Sequence, residues 1–213
     1  MAWVANFSAK CGEAMSRIGK RPVALPQGVS VTSGADFFEV KGPKGTVRRA
    51  MTSDVQIVTK DGQAIVEAKA DVAPEVGSRM SGTFRSHLNN AVTGVSKGYK
   101  KGIRLEGTGY KAELKGSTLT LSLGLSHPVV YEVPKGLSVQ IPGDSKNTVL
   151  LLETVDRDLL GKAVAQLQSF RPPEPYKGKG VRLMVDGSPT ASPVLVKIRQ
   201  KAGKAGKGGK GGK

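Results

Sequence analysis

Apolar residues along this chain keep one period, then another, and the change happens twice. Val29 and Val31 alternate with polar neighbours, and Phe37-Phe38-Glu39-Val40 follows after Ser33-Gly34-Ala35-Asp36. Alternation broken by a small polar cluster predicts a β-hairpin. Gly42-Pro43-Lys44-Gly45 makes the next turn, and Thr46-Val47-Arg48-Arg49 leaves it as a strand. Val55-Gln56-Ile57-Val58 and Ala64-Ile65-Val66-Glu67 are two more strands, joined at Lys60-Asp61-Gly62, where Asp-Gly suits a tight hairpin. From Pro74 the apolar positions Val76, Met80, Phe84, Leu88, Val92 and Val95 recur at three- and four-residue steps. That is one face of an amphipathic helix, with Pro74 in its first turn and Gly94 and Gly98 marking its end. Strands followed by one helix make an α+β unit.

The second half repeats the order. Ile103 and Leu105 begin a strand that Tyr110-Lys111-Ala112-Glu113-Leu114 continues, and Lys115-Gly116-Ser117 turns. Leu119, Leu121 and Leu123 alternate with polar residues; then come strands at Val129–Val133, Leu137–Ile141 and Val149–Leu152. Asp156 is placed to cap a helix carrying Leu159, Leu160, Ala163, Val164, Leu167 and Phe170. Val47 falls on Val129, Val55 on Leu137 and Ile57 on Val139, each 82 residues apart; Ile65 meets Val149 and Gly77 meets Gly161, 84 apart. The expected fold is α+β, with two tandem duplicated domains, each a small antiparallel sheet packed with one main helix. The boundaries are an N-terminal extension at 1–14, domains at 15–96 and 97–185, and a linker with a basic tail at 186–213.

Charge narrows the class of partner. The 213 residues carry a net +16. Residues 197–213 hold Lys197, Arg199, Lys201, Lys204, Lys207, Lys210 and Lys213 and no acid, so removing those seven leaves +9 on the body. A basic body as well as a basic tail points to a polyanion. Lys201–Lys213 is a lysine–glycine–alanine repeat, too polar to fold alone. Arg48, Arg49, Lys97, Lys100, Lys101 and Arg104 read mostly as solvated charge.

Arg171-Pro172-Pro173-Glu174-Pro175-Tyr176-Lys177-Gly178-Lys179-Gly180 is neither helix nor central strand, because its prolines fix φ and remove donors. It reads as an extended loop, stiff in its first half and pliable in its second. Arg171, Lys177 and Lys179 line it, Tyr176 offers a flat ring, and Gly178 and Gly180 would let backbone N–H groups approach a ligand. Cation, ring and bare backbone suit phosphate and nucleotide. The same composition also suits a solvated proline-rich turn.

Enzyme chemistry finds no foothold. His87 falls mid-helix and reads as structural or surface; His127, before Pro128, reads as a backbone cap or an RNA contact. No Gly-x-Ser-x-Gly elbow is expected, and no phosphate-cradling Gly-x-x-x-x-Gly-Lys-[Ser/Thr] appears. Asp156 and Asp158 flank a helix start, where the dipole favours them. Cys11 is the single cysteine, which excludes a disulfide framework within the chain and a cysteine-based zinc site. No cofactor, no membrane span and no small-molecule substrate is expected.

Several short strings carry a resemblance. Ser16-Arg17-Ile18-Gly19-Lys20, Val40-Lys41-Gly42-Pro43-Lys44-Gly45, Leu88-Asn89-Asn90 and Gly94-Val95-Ser96-Lys97-Gly98 belong to the first half. Gly107-Thr108-Gly109-Tyr110-Lys111-Ala112, Ser126-His127-Pro128-Val129 and Arg171 through Gly180 belong to the second. Across about residues 15–183, in order and spacing, these are similar to the large-subunit ribosomal protein six family in its bacterial and organellar form.

The resemblance implies a structural role on the large subunit, in the bacterial cytoplasm or in a plastid or mitochondrion. Its partners would be large-subunit rRNA and neighbouring large-subunit proteins. It would lie near the sarcin–ricin loop and stalk base, close to translation factors in passing. Carried over by position, Arg171, Pro172, Pro173, Glu174, Tyr176, Lys177, Gly178, Lys179, Gly180 and Arg182 would form the main RNA-binding loop. Tyr110, Lys111, Ser126 and His127 would support it. Three departures stand out: Leu125 replaces the family's usual aromatic before Ser-His-Pro, residues 1–14 are extra, and 184–196 looks like an insertion before a longer tail. Two other readings remain open: a free nucleic-acid chaperone acting through the lysine-rich tail, and an enzyme on a phosphorylated substrate.

Overall fold

The computed structural model describes residues 19, 21–34, 36–60, 62–69, 72–143 and 146–184. The extension at 1–14, the linker at 186–193, the apolar Val194-Leu195-Val196 and the lysine-rich tail lie outside them. Among the described residues, those up to Tyr99 together with Thr154–Leu159 form one compact unit. Lys100–Glu153, with those from Leu160 onward, form a second.

In the first unit, β1 (Val23–Ala24), β2 (Ser30–Ser33), β3 (Phe37–Gly42), β4 (Gly45–Ala50), β5 (Val55–Lys60) and β6 (Gln63–Ala68) precede α1 (Pro74–Ser96). Two three-stranded antiparallel sheets result, ordered β2-β3-β4 and β1-β6-β5. Alternation decides which face is buried: Phe38 and Val40 on β3, Val47 on β4, Val55 and Ile57 on β5, Ala64 and Val66 on β6. They meet Phe84, Leu88, Ala91, Val92 and Val95 of α1 in one apolar cluster. Pro74 stands in the first turn of α1, as expected.

Gly94, however, lies inside the helix and does not end it. A Cβ there would sit 2.0 Å from the Val155 carbonyl oxygen, so the glycine is a close-approach site. The chain turns out of the helix at Gly98, where φ is +77°. The β3–β4 turn docks on this end of α1. Lys44 donates its backbone N–H to Val95 O at 3.0 Å and its Nζ to Lys97 O, satisfying carbonyls the last turn leaves open.

After α1 come β7 (Tyr99–Glu106), β8 (Lys111–Lys115), β9 (Thr118–Ser122), β10 (Val129–Glu132), β11 (Leu137–Gln140), β12 (Val149–Thr154), α2 (Arg157–Phe170) and β13 (Gly180–Leu183), which make up the second unit apart from Tyr99, Thr154 and the first turn of α2. Its sheets run β10-β9-β8 and β11-β12-β7-β13. The duplication is visible in this order: β5-β6-β1 of the first unit has its counterpart in β11-β12-β7, and the β2-β3-β4 meander in β8-β9-β10. Two expectations need correction. Each unit carries two small sheets, not one. Tyr110–Leu114 does not continue the Ile103–Leu105 strand either, because Gly107-Thr108-Gly109 breaks it, with Gly109 at φ +76°, and sends β8 into the other sheet.

Helix α2 is also shorter than α1, 14 residues against 23. At the spacing that aligns Gly77 with Gly161, residues 171–180 fall on 87–96, which are still helical in the first unit. The second repeat therefore does not merely elaborate a helix exit. Pro172, Pro173 and Pro175 cannot supply the donors a helix interior needs, so a loop replaces its last turns.

Candidate nucleic-acid interface

The 171–180 segment folds back on itself. Arg171 O accepts the Val181 N–H at 2.8 Å, Lys179 O accepts the Glu174 N–H at 2.7 Å, and Glu174 O accepts the Gly178 N–H at 3.0 Å. It is thus a closed loop with Pro175-Tyr176-Lys177 at its turn, in place of the extended segment with a pliable second half that the prolines and glycines imply.

The glycines serve closure. Gly178 is buried at φ +70° with its N–H engaged inside the loop, so that N–H is not offered to a ligand. Gly180, at φ +133°, is packed under the loop's proline base, where a Cβ would lie 2.7 Å from Pro172 O and 2.8 Å from Pro173 Cα.

What the loop presents outward are side chains. Arg171, Pro172, Glu174, Tyr176, Lys177 and Lys179 are exposed, and Pro173 is half-buried. The Tyr176 ring is 53% exposed, high for an aromatic residue. Among the described residues no carboxylate pairs with Arg171, Lys177 or Lys179.

Arg182 belongs elsewhere. On β13, opposite Arg104 of β7, it is only 7% exposed, and its Nη1 lies 2.5 Å from Glu106 Oε2. Arg104 Nε approaches the same carboxylate at 3.9 Å. A guanidinium committed this way holds β13 to β7. Its guanidinium is thus engaged inside the protein, unlike the cations that the loop exposes.

The supporting residues divide as well. Tyr110 is buried, its ring beneath Gly107 and Gly124, so it buttresses the turn that carries Leu125, Ser126, His127 and Pro128. Those four are exposed. The strand leaving this turn reaches the base of the loop: Tyr131 packs edge-on against Phe170, ring centroids 6.2 Å apart, and donates its hydroxyl to Gln166 Oε1 at 3.2 Å. Burial pushes the Tyr131 phenol above its ordinary value. Lys111 is exposed at the start of β8, and among the described residues no hydrogen bond or ion pair joins it to the loop.

One polar cluster escaped the sequence reading. Arg49 is a half-buried hub in the first unit, not a solvated charge. Its Nη2 lies 2.5 Å from Asp156 Oδ1, its Nη1 2.5 Å from Asp158 Oδ2, and Nη1 also meets His87 Nδ1 at 3.2 Å. Burial opposes its charge, but hydrogen bonding and attraction to the two carboxylates outweigh that and raise its pKa. The signal was in the alternation, since Arg49 is in phase with buried Val47 while Arg48 points out over the Phe37 ring.

Gly94-Val95-Ser96-Lys97-Gly98 does spell Gly-x-Ser-x-Gly, a match the sequence reading passed over. It lies at the end of α1, and the Ser96 hydroxyl donates to Val92 O at 2.8 Å, so it is no elbow between strand and helix. Among the described residues no three metal-ligating side chains converge, and no helix is long and apolar enough to cross a membrane.

Comparison with known proteins accounts for both halves. The family model described as Ribosomal protein L6 matches residues 25–98 and 106–183. Large ribosomal subunit protein uL6 of Chromobacterium violaceum is 46% identical over 168 residues, covering 79% of this chain and 92% of that protein. The protein of the same name from Maridesulfovibrio salexigens is 42% identical over 190 residues, covering 89% and 98%. That of Aromatoleum aromaticum is 45% identical over 168 residues, covering 79% and 92%.

Proposed function

The chain belongs to the ribosomal protein L6 family, and we infer from that membership how it engages the ribosome. It is a structural, non-enzymatic constituent of the large ribosomal subunit, with rRNA and other ribosomal proteins as partners. Its main rRNA contact is the loop 171–180 of the second unit. The observation that carries this reading is the convergence of Arg171, Tyr176, Lys177 and Lys179, all exposed, on one loop that is already closed.

Lys177 and Lys179 act as point charges on phosphates, and Arg171 can grip one through two parallel hydrogen bonds. The Tyr176 ring stacks on an unpaired base or a ribose. Ser126 and His127, on the turn that Tyr110 supports, and Lys111 at the edge of β8 add flanking contacts. On this reading the surface lies near the sarcin–ricin loop and stalk base, within reach of translation factors, as the family resemblance implies.

Replacing Lys177 and Lys179 together by Ala tests the assignment. The logarithmic dependence of rRNA affinity on salt should flatten by about one unit per lysine, and an unchanged slope would overturn it. The tail-driven chaperone is the other reading, motivated by the seven cations in 197–213. Removing 197–213 separates the two, because retained binding to large-subunit rRNA supports the loop and complete loss supports the tail.

A further inference from the structure

Glu174 is the one acid between Arg171 and Gly180. Pro173 precedes it and Pro175 follows it, which restricts its backbone from both sides. Its N–H donates to Lys179 O at 2.7 Å, and its carbonyl accepts from Gly178 N–H at 3.0 Å. Its side chain is exposed, and among the described residues no cation pairs with it. Arg171, Lys177 and Lys179, the cations of the same loop, are left without carboxylate partners too.

A carboxylate held among phosphate-binding cations has a narrow choice of neighbours. It repels phosphate, and it is not neutralised by the lysines beside it. Ionised, it is an acceptor only, so the group it meets on an RNA surface must be a neutral donor. On a nucleotide those donors are the exocyclic amines of cytosine, guanine and adenine, the ring N–H groups of guanine and uracil, and the ribose hydroxyl. A base edge is the choice that makes a carboxylate on a fixed backbone useful, because sequence is read by hydrogen bonds to base edges while phosphate contacts only position.

We propose that Glu174 is the specificity-determining residue of the loop, accepting a hydrogen bond from the N–H edge of an unstacked base. The inference rests on the reading of 171–180 as the rRNA contact and adds to it. The cations supply sequence-independent affinity, and Glu174 selects the site.

The test compares full-length chains carrying Glu174→Ala, Glu174→Gln or Lys177→Ala with the unaltered protein, on transcribed large-subunit rRNA and on small-subunit rRNA as a non-cognate polyanion. Glu174→Ala is expected to weaken binding to the large-subunit RNA about tenfold, the size of one lost base contact. It should leave binding to the small-subunit RNA unchanged or slightly tighter, with the salt slope unaltered. Glu174→Gln keeps the loop's backbone bonds and side-chain shape, so it should show the same selective loss in smaller measure, which excludes a misfolded loop as the cause.

Lys177→Ala should weaken both RNAs alike. If Glu174→Ala tightens both equally, the carboxylate is only a repulsive charge. Equal weakening of both means a ribose contact, and no change on either means a protein neighbour; each of these three results overturns the proposal. If Lys177→Ala changes nothing, the underlying reading of the loop fails instead, whatever Glu174 does.

Discussion

Arg49 Nη2 lies 2.5 Å from Asp156 Oδ1, the same oxygen that accepts the Asp158 backbone N–H at 3.0 Å. One carboxylate therefore caps α2 and binds a half-buried guanidinium. Asp156→Ala should cost about 2 kcal/mol, combining a lost cap with a weakened ion pair. In an Arg49→Ala background the same change should cost only the cap, about 1 kcal/mol. Urea midpoints of the four proteins measure the cycle, and strict additivity would mean that the shared oxygen couples nothing.

Gly180→Ala sets a Cβ against the Pro172 carbonyl at a φ that side chains rarely adopt. The loop is expected to open at its base, with a stability loss of about 2 kcal/mol. Binding to large-subunit rRNA should weaken although no charge is removed. Calorimetric melting with a parallel binding titration reads both effects.

Arg182→Ala distinguishes a strut from a contact. Its guanidinium is buried on Glu106, so the loss should appear as a lowered melting temperature, equivalent to about 2 kcal/mol. The salt slope of rRNA binding should stay that of the unaltered protein. A slope flattened by a full unit would return Arg182 to the RNA surface.

Alkaline pH should act through Tyr131. Burial raises its pKa above the ordinary value near 10. The unfolded phenol therefore ionises first. Stability from the neutral phenol is complete below about pH 10 and is lost as pH climbs through the folded value. Urea midpoints followed upward from pH 9 should fall less steeply for Tyr131→Phe. Parallel curves would show that this phenol contributes nothing to alkaline unfolding.

The periods of the apolar residues made the strands and both helices readable, because burial on one face leaves a local trace every second or fourth residue. The prolines of 171–180 likewise announced a break in α2. Closure of that loop was not readable, since it depends on Lys179 O and Arg171 O meeting donors across the turn. The burial of Arg182 was not readable for a related reason: its partner Glu106 is distant in sequence and becomes a neighbour only through the β7–β13 register. Arg49 differs, because strand alternation already put it on the buried face with Val47, and its charge was allowed to outvote its position.

The bonds that close 171–180 form within the protein itself. Fixing a residue's backbone costs about 1–2 kcal/mol in entropy, and for a free segment of this length that sum would oppose docking. Here it is settled during folding, so the proposed docking on RNA would need only to immobilise side chains and release counterions. The same charges strung on a flexible linker would not reproduce such an affinity; shape in the absence of RNA is what the closed loop would bring to the contact.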